Sequence, residues 1–316
     1  MFAARGITIS LSVFFLIYSA FSIAVYCSWR RAGFYLQKYP ARRRADLMFA
    51  LRMFPLAASV AITLALALPS FLLLEPRAIV EPLGGAPLVF GVGGLALVMF
   101  GALNAVRALV RTFRTIRNWA RHASPVSLNV AVPVWRISRA VPALTAAGVL
   151  RPRVLMSGAA EFLLTPKELQ TALQHELAHV RRRDNLKKLL LRFVAFPGMS
   201  GLETAWLEAT EMAADDAAVS SVGEALDLAA ALIKLSRMGI PEPTAELTAA
   251  LMHSPAGLMN ARVERLIAWD EGRKAQVPRY SPWYGLTAGL TVVAVFAVTY
   301  SQLLVRVHTA TEWLVR

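Results

Sequence analysis

The segment His175–His179, with the sequence His-Glu-Leu-Ala-His, contains the residue types of a metal-dependent hydrolase. On a helix, residues four apart lie within roughly 40° of one another and about 6 Å apart along the axis. That spacing lets His175 and His179 bind one metal ion, and imidazole is a common zinc ligand. Glu176 points roughly 100° away from His175, so its carboxylate can act as general base on a metal-bound water.

A catalytic zinc site needs a third protein ligand and one open position. Three acidic residues of the next predicted helix, Glu208, Glu211 and Asp215, share one stripe because they are three and four residues apart. That helix is otherwise rich in Ala, Met, Trp and Leu, so a facing cation explains the stripe better than a solvated acidic surface does. Spacing alone does not separate Glu211 from Glu208.

The helix that carries the two histidines has a clear start. Thr165 is the predicted N-cap, Pro166 occupies the first helical position, and Glu168 completes a capping box. Further helices follow a break at Pro197-Gly198, and two short strands come before the first helix. The predicted helices are 166–188, 202–221, 224–238 and 254–269, and the predicted strands are 128–137 and 153–156. The second strand, Arg153, Val154, Leu155 and Met156, is a candidate to pair with an extended substrate.

The composition indicates a membrane protein. Of the 316 residues, 56% are hydrophobic and 17% are charged, whereas a soluble domain carries roughly 25% charged residues. Four stretches without charge reach the roughly 20 residues that a bilayer core requires, and they are residues 6–29, 53–74, 82–106 and 280–305. With a single cysteine, Cys27, the chain cannot form an internal disulfide.

Basic residues predict how these spans are oriented. Residues 30–52 hold seven Arg and Lys against the single acid Asp46, and residues 107–121 are also rich in Arg. Because cytoplasmic loops are enriched in Lys and Arg, both regions are expected inside the cell and both termini outside. This topology also explains much of the net charge of +14, so membrane lipids, and not nucleic acid, are the expected partner.

The expected organisation has three parts. Residues 1–112 form a membrane domain with three transmembrane helices, and residues 113–279 form a cytoplasmic domain large enough for its own core. Residues 280–316 contain the fourth transmembrane helix and a short external tail. The expected location is a bacterial-type inner (cell) membrane, crossed several times, with the active site in the cytoplasm.

Three motifs carry a family resemblance: Leu150–Leu155 (Leu-Arg-Pro-Arg-Val-Leu), the run Leu173–Asp184 around the histidines, and Glu211–Asp215 (Glu-Met-Ala-Ala-Asp). Over roughly Val130–Trp269 the chain resembles the BlaR/MecR type of integral-membrane zinc metallopeptidase. It is more distantly similar to the HtpX and CAAX-prenyl peptidases.

The resemblance implies that Glu211 is the third zinc ligand and that Asp215 and Asp184 orient the ligands. The expected cofactor is one Zn²⁺ per chain. The implied fold class is a membrane α-helical protein with four transmembrane helices and a mainly α, α+β zincin-like cytoplasmic metallopeptidase domain.

These features predict a membrane-embedded zinc endopeptidase in which Glu176 is the catalytic base and a protein is the substrate. By resemblance, that substrate is a cytoplasmic transcriptional repressor or the chain itself, cleaved in signalling. A quality-control membrane protease, or a non-catalytic zinc-stabilised transducer, would carry many of the same residues, and a homo-oligomer is compatible with all three.

Antibiotic-sensing members of the family have an extracellular penicillin-binding domain after the last span. This sequence lacks that domain, so no role in sensing β-lactams is expected.

Overall fold

The computed structural model describes residues 2–76, 84–126, 132–137, 143–194, 196–237, 247, 249–250, 256–270 and 282–315. Within these residues the fold is mostly helical and contains a small five-stranded sheet. The chain divides into two compact units. The first comprises residues 1–30, 51–100 and 276–316, and the second comprises residues 31–50 and 101–275.

Three helical segments of the described residues are long and apolar enough to cross a membrane: Phe2–Arg31, Ala41–Leu74 and Gly85–Trp119. They belong to α1 (Phe2–Leu36), to α2 (Ala41–Ile62), which continues through a π-helical turn (Thr63–Ala67) into α3 (Leu68–Leu74), and to α4 (Gly85–Trp119). The second and third extend into Arg-rich sequence beyond the predicted spans, because Arg and Ala are good helix formers. Three such helices support a membrane protein.

The second unit contains the sheet and a set of shorter helices. After a 3₁₀ turn (Ala120–His122) come β1 (Ser124–Val126), β2 (Val134–Ile137), β3 (Leu144–Ala147), β4 (Arg153–Ser157) and α5 (Gly158–Leu163). They are followed by α6 (Pro166–Arg181), α7 (Asp184–Phe193), α8 (Ser200–Ala218), α9 (Val222–Ser236), β5 (Ala249–Ala250) and α10 (Ala256–Ile267). The first residues of the strand predicted at 128–137 lie outside the described residues, and so do residues 254–255 of the helix predicted at 254–269.

The last helix, α11, spans Pro282–Val315 and includes most of the predicted fourth transmembrane stretch. The start of that stretch, at Tyr280, lies outside the described residues, as does Pro82 at the start of the third. The fourth span therefore remains a prediction.

The sheet has the strand order β1-β2-β4-β3-β5. Strand β4 is central: Val154 pairs with Val134 of β2 in parallel and with Ala146 of β3 in antiparallel register. This corrects the expectation that the strand Arg153–Met156 receives an extended substrate, because both edges of β4 already pair with neighbouring strands. Strand β3, which the sequence analysis missed, joins β4 through a tight turn in which Gly148 adopts a φ of 95° that favours glycine.

Helix α6 begins as predicted but is shorter than expected. Thr165 accepts a hydrogen bond from the Glu168 N–H, and the Glu168 carboxylate accepts one from the Thr165 N–H. The helix ends at Arg181 and not at residue 188, because Arg183 adopts the left-handed conformation with a φ of 54°. This break starts a new helix, α7, at Asp184.

A hydrophobic core fixes α6 against its neighbours in the second unit. Leu173 and Leu177 of α6 are buried in one cluster with Leu228 and Leu232 of α9 and with residues of β4. An ion pair adds to this packing, since Lys234 Nζ near the end of α9 lies 2.7 Å from Glu168 Oε2 at the start of α6. The face of α6 that carries the histidines is therefore held in one orientation.

Replacing the cap residue, Thr165→Ala, should lower the free energy of unfolding by about 1 kcal/mol, because the Glu168 N–H loses its acceptor. For a chain of this size this corresponds to a fall of about 2–4 °C in Tm, measurable by thermal unfolding of the detergent-purified protein. Ser236→Ala is the control, since it removes an exposed hydroxyl that donates to the Ile233 carbonyl. An equal fall in both variants would contradict the capping role.

Candidate metal centre

Three buried side chains from α6 and α8 form a group that could hold a metal ion: His175, His179 and Glu211. The Nε2 atoms of the two imidazoles lie 3.1 Å apart. His175 Nε2 is 3.6 Å from Glu211 Oε2, and His179 Nε2 is 3.6 Å from Glu211 Oε1. The i, i+4 spacing on α6 brings the imidazoles together, and packing of α8 against α6 adds the carboxylate.

Two of these separations match what one tetrahedral zinc ion requires, and the 3.1 Å between the two Nε2 atoms is slightly shorter. Zinc bonds to histidine nitrogen and carboxylate oxygen measure about 2.0–2.2 Å, which gives ligand atoms about 3.3–3.6 Å apart in tetrahedral geometry. Glu211 is also buried, so its carboxylate is held inside the fold beside the two imidazoles. The three side chains therefore fit a bound zinc ion with little movement.

The other ring nitrogen of each histidine faces an aspartate. His175 Nδ1 lies 3.0 Å from Asp215 Oδ1, and His179 Nδ1 lies 2.8 Å from Asp184 Oδ2. A carboxylate at Nδ1 holds the proton there, which fixes the ring orientation and leaves Nε2 as the lone-pair donor. The structure thus places Asp215 and Asp184 against the two candidate ligands, and their role in orienting bound ligands stays what the family resemblance implies.

Arg262 of α10 is a member of this cluster that the sequence analysis missed. Its guanidinium donates to both oxygens of Asp215, at 2.7 and 2.8 Å, and its Nη1 lies 3.1 Å from Glu211 Oε2. One fully buried cation thus contacts a candidate ligand and the partner of another. A signal was present, because Arg262 lies on the apolar stripe of its helix with Met259 and Leu266, where a charge requires a buried partner.

Glu176 is also fully buried, on α6 beside His175. Its Oε2 accepts a hydrogen bond of 2.6 Å from the Ala146 N–H of β3. Its Oε1 has no hydrogen-bond partner among the described residues. Burial raises the pKa of this carboxyl to about 7. One oxygen is thus held by the sheet while the other can accept a proton.

The charges around the imidazoles favour a cation. Burial lowers the pKa of His175, but the carboxylates of Asp215 and Glu211 outweigh it and raise that pKa to about 9. Burial raises the pKa of Glu211, but the charges of His179 and Arg262 outweigh it and lower that pKa to about 2. The same carboxylates that attract a proton here would stabilise a divalent metal ion.

Glu208, the competing acid of the α8 stripe, is not part of the candidate metal group. It is only half-buried, whereas Glu211 is buried. The rotation of α8 about its own axis thus places Glu211 opposite the histidines.

Two cationic side chains, Arg182 and Lys187, lie near Asp184. Its Oδ1 lies 3.6 Å from Arg182 Nε and 3.8 Å from Lys187 Nζ. Both cations also reach Asp46 near the start of α2, at 3.5 and 3.2 Å. The aspartate that contacts His179 therefore shares its counter-charges with a residue far away in the sequence.

A cavity of about 280 Å³ lies beside His179, between the β3–β4 turn and the α6–α7 junction. Its walls are mainly apolar and include Val149, Leu150 and Leu186. Asn185 also lines it and is anchored by donating hydrogen bonds of 2.9 and 3.0 Å to the Ala146 and Gly148 carbonyls. The cavity is large enough for one side chain of a bound peptide.

Replacing Arg262 should weaken metal binding. Arg262→Lys keeps the charge but loses the fork that holds Asp215 and Glu211, and losses of this kind reduce metal affinity by about 10–100-fold. The measurement is zinc content and affinity of the purified protein by competition with a chromophoric chelator. Arg265→Lys, three residues along the same helix and paired with exposed Asp216, is the matched control. Unchanged affinity in Arg262→Lys would show that the guanidinium does not support the ligands.

Compared with protein-family models and with curated proteins, the chain shows no match. The functional assignment therefore depends on the geometry of the metal centre and on the family resemblance of the sequence motifs.

Proposed function

We propose that the protein is a membrane-embedded, zinc-dependent endopeptidase of the BlaR/MecR-like type, with a zincin-like active site on the cytoplasmic side. One observation carries this proposal. The buried Glu176 lies beside a group of three candidate metal ligands, with one carboxylate oxygen held by β3 and the other without a hydrogen-bond partner in the part of the chain that the structure describes. A purely structural site is usually closed by four protein ligands, whereas this group has three and Glu176 is not one of them.

Zinc is the metal that this ligand set favours, because two imidazoles and one carboxylate with a free fourth position are typical of catalytic zinc. When bound, zinc polarises the scissile carbonyl and lowers the pKa of a bound water. His175, His179 and Glu211 would hold the ion. Asp215 and Asp184 keep the two imidazoles oriented, and Arg262 neutralises part of the buried negative charge.

Glu176 performs the proton transfers in this proposal. Its Oε1 takes a proton from the attacking water and delivers it to the leaving amine. The hydrogen bond from the Ala146 N–H keeps the carboxylate from rotating away between these two steps. In this proposal Oε2 of Glu176 is fixed by the hydrogen bond from β3 while Oε1 transfers the proton.

The substrate in this proposal is a protein. The mainly apolar cavity beside His179 would accept an apolar side chain of a peptide, and the ends of the β3–β4 turn lie close by. A cytoplasmic repressor or the chain itself would make the enzyme a signalling protease. A damaged membrane protein as substrate would make it a quality-control protease.

The proposal includes the membrane topology. Four transmembrane helices, the fourth within α11, would place both termini outside and the metal centre in the cytoplasm of a bacterial-type cell. Support comes from the three long apolar helices and from the basic residues concentrated in residues 30–52 and 107–121.

Three glutamate variants test the catalytic assignment. Glu176→Gln should keep zinc but slow cleavage by about 10²–10⁴-fold, because the general base is lost while the ligands stay. Glu211→Gln should lower zinc content and cleavage together, since a neutral amide is a poor zinc ligand. Glu208→Gln, on the same stripe of α8, is the matched control and should change neither.

The readouts are zinc per chain and the labelled N-termini of proteins in cells that express each variant. N-termini that appear with the parent and with Glu208→Gln but not with Glu176→Gln identify substrates. If Glu176→Gln and the parent produce the same N-termini, the protein is not a protease of this kind. If Glu208→Gln loses zinc while Glu211→Gln retains it, the ligand assignment is wrong.

Thiol labelling tests the topology. In a Cys27→Ser background, a cysteine at Ala123 should be protected from a membrane-impermeant reagent in intact cells, whereas a cysteine at Thr309 should react. The charge distribution of the loops is the physical reason. Permeabilised cells supply the control, in which both positions react. The reverse pattern in intact cells would move the metal centre to the outside.

A further inference from the structure

A second group of side chains that could bind a metal ion lies in the first unit. None of its residues is close in sequence to the residues of the metal centre. It consists of Glu75, His308 and Glu312, and one ligand atom from each lies within 4.8 Å of the others. His308 Nε2 is 3.5 Å from Glu312 Oε1, and His308 Nδ1 is 4.0 Å from Glu75 Oε2. We call this group the α3–α11 cluster.

Two different helices bring the cluster together. His308 and Glu312 are four residues apart on α11, so their side chains extend from the same face of that helix. Glu75 directly follows α3 and has left the helical conformation, with φ −75° and ψ 126°. Its side chain can therefore turn toward α11, and the cluster connects the end of α3 to α11.

An arginine fixes one oxygen of Glu75 and leaves the other available. Arg5 Nη2 lies 3.0 Å from Glu75 Oε1, whereas Oε2 is the oxygen that faces His308. The positive charge of Arg5 balances one of the two carboxylates. With neutral His308, the four side chains carry one net negative charge, which would attract a cation.

Access from solvent differs sharply from that of the metal centre. The side chains of Glu75 and His308 are 9% and 17% exposed, but that of Glu312 is 47% exposed. An ion held here would keep contact with water and could enter and leave without opening the fold. The ligand atoms are somewhat farther apart than the roughly 3.3–3.6 Å of a filled tetrahedral zinc site. The two carboxylates face different ring nitrogens of His308, so one ion bound through a single nitrogen would require the side chains to close in from separations of up to 4.8 Å.

We propose that the α3–α11 cluster is a second, exchangeable binding site for a divalent cation, best suited to Zn²⁺. Imidazole with carboxylates is a ligand set that zinc uses, and the hard cations Mg²⁺ and Ca²⁺ prefer oxygen ligands alone. Three protein ligands leave one position for water. Binding would tie the end of α3 to α11, so the arrangement of these two helices would respond to the free zinc concentration.

The test counts zinc sites on the full-length protein in detergent micelles. Metal-stripped protein is titrated with Zn²⁺ against a chromophoric chelator, and two sites of different affinity are expected. The double variant His175→Ala/His179→Ala should lose the tighter site and keep the weaker one. His308→Ala should lose the weaker site and keep the tighter one.

Glu312→Gln should weaken the second site by at least about tenfold, because an amide replaces a carboxylate ligand on the exposed arm of the site. Glu264→Gln, an exposed acid of α10, is the matched control and should leave both sites intact. Zinc should also raise the Tm of the double variant His175→Ala/His179→Ala, and adding His308→Ala to it should abolish that rise.

A single zinc site on the parent would overturn the proposal, and so would a weaker site that persists in both His308→Ala and Glu312→Gln. The retained tight site shows that His308→Ala is folded, and Glu312→Gln repeats the test with a milder change. Cleavage that depends on Glu176 would survive such a result, so failure of the second site leaves the proposed protease function standing.

Discussion

Burial of charge is the constraint on which the second unit depends. His175, Glu176, Asp215 and Arg262 have no exposed surface, and Glu211 has almost none. An ionised group removed from water without a partner costs several kcal/mol, and His175, Glu211, Asp215 and Arg262 meet this requirement by contacting one another. The partners come from different helices, since Arg262 of α10 contacts two carboxylates of α8 and those carboxylates contact the imidazoles of α6. The packing of three helices is thereby tied to one set of ion pairs.

The sheet and the α6–α7 junction complete the site from the other side. The Ala146 N–H of β3 holds Glu176, and the Ala146 carbonyl accepts a hydrogen bond from Asn185 of α7. Asn185 can reach β3 only because the chain turns at Arg183, and the same turn brings Asp184 to His179. An unfavourable backbone conformation at one arginine therefore positions two side chains at once. Such strain persists where the surrounding contacts over-determine it.

The contacts of Asp46 extend this network to the start of α2. Arg182 and Lys187 lie between Asp46 and Asp184, so the two aspartates compete for the same cations. The helix that bears Asp46 continues into an apolar segment long enough to cross a membrane. Asp46, near the start of this helix, thus influences the charge around His179, a candidate ligand of the metal centre.

Local sequence patterns determined the features that depend on a single element. The two histidines share a face because of helical periodicity, and three long apolar helices follow from hydrophobicity alone. Thr165 and Glu168 cap α6 because the side chain of each accepts a hydrogen bond from the backbone N–H of the other. The acidic stripe on α8 was also readable, although its spacing could not choose between Glu208 and Glu211. The prediction of Glu211 as the third ligand came from the family resemblance and not from the spacing.

Tertiary structure decided everything that joins separate elements. The rotation of α8 against α6 selects Glu211, and the approach of α10 brings Arg262 from 47 residues beyond Asp215. The central position of β4 excludes it as a substrate strand, and the pairing that excludes it involves β3, a short Ala-rich segment with little strand propensity. A residue pattern encodes how a side chain lies on its own helix or strand. Which other element it meets depends on the packing of a whole core, and no local spacing contains that information.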